Sequence, residues 1–199
     1  YGIEFDANYN GKLLYHTWEN WTVDRCAQGY DAIFPALNKP CPELEAFTGQ
    51  TTAQIRHLIE EQLLRDMARH IVEQTGYIYG NYGMHQSSLL RVAATLRDTT
   101  GQPSSQDMVD WVMDNEDYDL YVYMPLYDAL YNLVGRDGCA TESPQYNNGW
   151  TRNLTHLADL LQLNGVDVTQ IERFQQANQE LNDRIRRTAD PRSKNGVWS

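Results

Sequence analysis

Asn81, Tyr82, His85 and Gln86 bring an amide, a phenol, an imidazole and a second amide into one short stretch, Gly80-Asn81-Tyr82-Gly83-Met84-His85-Gln86-Ser87-Ser88. The stretch breaks a helical pattern where a new helix should start. The first turn of a helix offers unpaired backbone amides and the positive end of the dipole, which together favour an anion. A carboxylate docked there would meet the Asn81 amide and the His85 imidazole at once, with Gln86 and Tyr82 beside it. Asn before a helix is also a good cap, and a histidine in a first turn can equally be a packing residue.

A second polar break, Asp137-Gly138-Cys139-Ala140-Thr141-Glu142-Ser143-Pro144-Gln145-Tyr146, lies further along the chain. Tyr146 is its reactive candidate. A phenol titrates near about 10 in isolation, so it needs nearby cations or donors to serve as a base. Arg136 and Arg152 flank the segment and could supply them. Asp137 and Glu142 form a separate candidate, because a glycosidase needs one carboxylic acid and one carboxylate. Glu142 could also simply pin the loop. His16 and Trp18, with Trp21, suggest an aromatic wall on the first helix, or ordinary core packing. The spacing alone leaves these alternatives open.

The totals narrow the field. A net charge of −11 argues against nucleic acid as a partner, since phosphate binding needs clustered Lys and Arg. It also weighs against a dense polyanion. The 13 Tyr and 5 Trp suit either a sugar cleft or the rim of a helical core. Cys26, Cys41 and Cys139 have no metal-ligand spacing, and there is no paired-histidine metal motif, phosphate loop or nucleophile elbow. No metal and no cofactor is expected. No apolar run reaches the roughly 20 residues needed to cross a bilayer, so no membrane partner is expected.

The elements that must carry these residues read as helices throughout. Apolar spacing predicts a helix over Gly11–Leu37, bending or ending near Gly29 and Pro35, and then a loop over Asn38–Gln50. Thr51-Thr52-Ala53-Gln54 fits a capping box opening a helix to about Thr75. Further helices are predicted over Met84–Thr99, Ser104–Met113, Leu120–Val134, Trp150–Leu163 and Thr169–Arg187, with Tyr146 in the loop before Trp150. Seven helices with short links and no convincing strand predict an all-α fold, an incomplete ring of antiparallel helical hairpins. The chain begins at Tyr1 and ends at Trp198-Ser199. Residues 1–199 are expected to form a single helical domain, a piece of a longer polypeptide.

With these motifs in order, the chain resembles the α/α-toroid region of the heparinase II/III-like polysaccharide lyases, which include oligo-alginate lyases. The resemblance rests on Asn81-Tyr82-Gly83-Met84-His85-Gln86, on Asp137-Gly138 with Glu142-Ser143-Pro144-Gln145-Tyr146, and on Tyr30-Asp31-Ala32-Ile33. It covers about residues 10–165. It implies β-elimination on a uronic-acid polysaccharide or oligosaccharide. Asn81 would neutralise the C5 carboxylate with help from His85, and Tyr146 would serve as the acid, or as base and acid in turn. Gln86 would hydrogen-bond the sugar. It also implies a periplasmic or secreted location and a C-terminal β-sandwich domain, of which nothing after residue 165 has the character. The family often has His where this chain has Tyr82. Two rival expectations remain: a toroid glycoside hydrolase using Asp137 and Glu142, and a glycan-binding helical module without chemistry.

Overall fold

The computed structural model describes residues 19–73, 82–118, 121–141 and 144–189. Among them the fold is all-α. The one extended pairing is an isolated bridge between Val134 and Ala140. The helices are α1 (Asn20–Leu37), α2 (Pro42–Thr48), α3 (Thr52–Ile59), α4 (Asp66–Val72), α5 (Met84–Leu96), α6 (Ser105–Asp114), α7 (Leu126–Asn132), α8 (Pro144–Leu163) and α9 (Glu172–Ala189).

Local chemistry explains most of the boundaries. Thr51 caps α3 as its sequence demands: the Gln54 amide nitrogen donates to Thr51 Oγ1 at 3.2 Å, and Thr51 N donates to Gln54 Oε1 at 2.8 Å. Ser104 and Asp107 form the same reciprocal cap on α6. A π-helical segment, Glu60–Arg65, joins α3 to α4 without a break in the rod.

Three expectations are corrected. The segment predicted as a loop over Asn38–Gln50 contains α2, started by Pro42 in its first turn, where a missing N–H costs nothing. The tyrosine-rich helix predicted over Leu120–Val134 is split into a 3-10 turn, Tyr121–Tyr123, and α7, because Pro125 ends the first and heads the second. Finally, α8 begins at Pro144 and not at Trp150, so Tyr146 belongs to its first turn rather than to a loop. The described part of the first helix starts at Asn20.

The core is built around α5. Leu89, Leu90, Val92 and Ala93 are all fully buried and form the face of this helix that packs into the core. Cross-helix hydrogen bonds fix the directions of its neighbours. Ser88 Oγ donates to the Asn20 carbonyl at 2.8 Å, and Arg91 pairs with Asp24 at 3.1 Å. Residue numbers rise together along both helices, so α1 and α5 are parallel. On the other flank, Asn153 Nδ2 donates to the Tyr82 carbonyl at 2.9 Å and Asn164 Nδ2 to the Leu90 carbonyl at 3.1 Å. Thus α8 is also parallel to α5. Between them the chain runs back. Arg56 donates to Asn38 while Tyr30 bonds Glu60, which sets the α3 rod antiparallel to α1. Thr155 Oγ1 donates to Asn178 Oδ1 at 3.2 Å, which ties α9 to α8. The starts of α1, α5 and α8 therefore lie at one end of the molecule.

Candidate functional site

The entrance of α5 holds Tyr82, His85 and Gln86, the described candidates of the first polar break. Gly83 takes φ +96°, a backbone conformation that glycine adopts without strain. A Cβ on Gly83 would stand 2.8 Å from Asn153 Cβ, so the close approach of α8 requires glycine as well. Tyr82 is fully buried, and its ring stacks on Trp150 with centroids 5.0 Å apart and planes 19° from parallel. Trp150 and Asn153, on one face of α8, thus grip the residue just before α5.

Gln86 is fully buried, and both ends of its amide are engaged. Its Oε1 accepts from Gly83 N at 3.1 Å, and its Nε2 donates to the Val122 carbonyl at 2.8 Å. These bonds hold the α5 entrance against the 3-10 turn. The expectation that Gln86 hydrogen-bonds a sugar is therefore corrected: the amide is spent within the fold.

His85 is also fully buried, edge-on to Tyr123 at 5.2 Å. Neither ring nitrogen has a partner among the described residues. Burial pushes its pKa down from 6.5 to about 3, so the imidazole is neutral at ordinary pH. It has no charge with which to help neutralise a carboxylate.

Tyr82 OH, Trp111 Nε1 and Trp150 Nε1 are likewise buried without partners. Burial first, and then the Asp128 carboxylate, hold the Tyr82 phenol well above its usual range. Tyr82 therefore stays a neutral phenol. Asp128 itself accepts from Tyr118 OH at 3.2 Å. Near the start of α1, Glu19 has a buried carboxylate oxygen with no partner among the described residues, and burial raises its pKa to about 7. Nothing in the sequence motifs singles out Glu19 as a site residue. Its only signal was its position three residues after His16 in a helical register.

Arg152 is exposed on α8, two residues beyond Trp150. Asp137 Oδ1 accepts from Cys139 N at 3.1 Å, so this carboxylate secures its own turn. Asn81, Glu142, His16 and Trp18 lie outside the described residues, as does the side chain of Tyr146. No group of His, Cys, Asp and Glu able to hold a metal occurs among the described residues, and no described helix is long and apolar enough to cross a membrane.

Comparison with known proteins adds no relative: no protein-family model, curated protein or solved structure matches this chain.

Proposed function

We propose that the chain is the helical catalytic half of a polysaccharide lyase that opens a uronate-containing glycan by β-elimination. The observation that carries this reading is the clamp of Trp150 and Asn153 on Tyr82. Tyr146 precedes Trp150 by one turn of the same helix, and Asn81 is the residue before Tyr82. Both proposed catalytic residues thus stand close in sequence to the two partners of the clamp.

In this reading Asn81 donates to the C5 carboxylate of the uronate. Tyr146, as phenolate, removes the C5 proton. The C4–O4 bond breaks as the C4=C5 double bond forms, and the proton on Tyr146 passes to the departing O4. The negative charge that builds on the carboxylate is stabilised by the shared positive end of α1, α5 and α8. His85, neutral and enclosed, shapes the α5 entrance instead of touching sugar.

The alternation of parallel α1, α5 and α8 with returning helices supports an incomplete α/α toroid, with the parallel helices as its inner layer. The family resemblance adds a β-sandwich domain as structural partner and a periplasmic or secreted location. The hydrolase alternative is weaker, because Asp137 is tied to its own turn.

The protein expressed from its complete reading frame, incubated with uronate polymers, is expected to release unsaturated ends that absorb in the ultraviolet. Tyr146→Phe should lower that rate by roughly 10²–10⁴-fold, the usual share of a general acid–base group. New reducing ends without ultraviolet absorbance would replace the lyase by a hydrolase. Glycan binding with neither product would leave a binding module.

A further inference from the structure

Away from the α5 entrance, α1 has two unlike sides. Val23, Ala27, Tyr30 and Leu37 are buried. On the other side Trp21, Arg25, Gly29, Ala32 and Ala36 recur every three or four residues and are all exposed, Trp21 by 57%, with Ile33 beside them at 49%. Trp21 is therefore not a core residue. Gly29 has no explanation within its own chain: it lies in the interior of the helix, and a Cβ there would meet nothing within 4 Å. Glycine at such a position destabilises a helix relative to alanine, and it is favoured where another backbone must come close.

The charges on this side of α1 say what comes close. Arg25 donates to Gln28 Oε1 at 3.2 Å and has no ion pair among the described residues, nor has the exposed Asp31 at the margin of the same side. Six positions apart, the two cannot reach each other on one helix, where only residues three and four apart are neighbours. They stand three residues to either side of Gln28. An antiparallel copy of α1 crossing there brings each Arg25 to the other copy's Asp31. The same register lays Trp21 over the small residues Pro35 and Ala36 of the second copy and puts Gly29 at the crossing. Two chains of net charge −11 repel, so they can meet only where carboxylates are scarce, and Arg25 is the one charge along the middle of this side.

We propose that the exposed side of α1 is a homodimer interface, in which two copies of this chain cross antiparallel and exchange Arg25–Asp31 ion pairs about a two-fold axis near Gln28. A two-fold contact sets one patch against itself, and this patch is self-complementary in both charge and size. The inference does not depend on the lyase reading.

The test is the mass in solution, by light scattering and sedimentation, of the protein expressed from its complete reading frame. The unmutated protein is expected to reach twice the mass of one chain as its concentration rises. Arg25→Asp and Asp31→Arg each set like charges face to face and should raise the dimer dissociation constant at least about tenfold. The double exchange, Arg25→Asp with Asp31→Arg, should restore the dimer. Gly29→Gln should give a monomer whose circular dichroism spectrum keeps the full helix content, because the new side chain meets nothing in its own chain. An unmutated protein that stays monomeric overturns the inference and leaves this side of α1 to a different partner. A dimer that ignores both single reversals, or one that the double exchange fails to restore, overturns it as well.

Discussion

Tyr82 and Trp150 stack face to face, 5.0 Å apart, across the junction of two helices whose residues are far apart in sequence. Both rings are buried, yet neither the phenol nor the indole N–H finds a partner among the described residues. The two rings therefore contribute to the α5 entrance by packing, beside the Asn153 hydrogen bond to the Tyr82 carbonyl. Trp150→Ala should cost about 3–5 kcal/mol, the usual range for truncating a buried Trp. Chemical denaturation monitored by far-ultraviolet circular dichroism would measure it, and a loss below about 1 kcal/mol would contradict a core role for the stack.

Asn153 belongs to an Asn-Leu-Thr sequon, but its side-chain amide donates to the Tyr82 carbonyl. A glycan on that nitrogen is incompatible with the contact. Expressed through a eukaryotic secretory route, the folded protein should leave Asn153 unmodified, as mass spectrometry of its peptides would reveal. Asn153→Ala should lose about 1 kcal/mol of stability, the typical net value of one hydrogen bond.

His85 and Glu19 predict opposite pH responses. Burial depresses the His85 pKa to about 3, below its unfolded value of 6.5. Below about pH 6.5 the unfolded chain takes up a proton that the folded chain refuses, so stability falls as pH drops toward 3. Glu19 is raised from 4.5 to about 7. The folded chain keeps that proton while the unfolded chain loses it, so stability falls as pH rises from 4.5 through 7. His85→Leu should flatten the acid side of the melting-temperature profile. Glu19→Gln should raise the melting temperature at pH 8 and leave it nearly unchanged at pH 4.

Arg65 is a buried cation held by Glu61, Asp98 and the Pro103 carbonyl. Gly101 lies directly against its guanidinium: a Cβ there would come within 2.0 Å of Arg65 Cζ. Gly101→Ala should therefore push Arg65 off its partners and destabilise the protein by about 1–3 kcal/mol, as overpacking usually does. Thermal melting of the variant would check this. Unchanged stability would mean that Arg65 has another place to go.

The helices themselves were legible from local signals. Thr51 with Gln54 and Ser104 with Asp107 form the caps that their spacing predicts, because a cap depends on residues within one turn. Leu89, Val92 and Ala93 mark the buried face of α5 for the same reason. The entry to α8 was misread because Tyr146, Asn147, Asn148 and Gly149 are polar or small, and apolar spacing starts only at Trp150. Pro144 at the helix start outweighed that weak pattern.

The sequence alone determined an all-α chain and the two segments where chemistry is concentrated, since capping, proline and apolar periodicity act over a few residues. Tertiary structure decided which of those side chains remain available. Gln86 reads as a donor to sugar until Val122 is brought to it from another element. His85 reads as a helper at a carboxylate until Tyr123 and the surrounding core remove it from water. Whether a polar group faces solvent or protein depends on neighbours distant in the chain, and only packing supplies them.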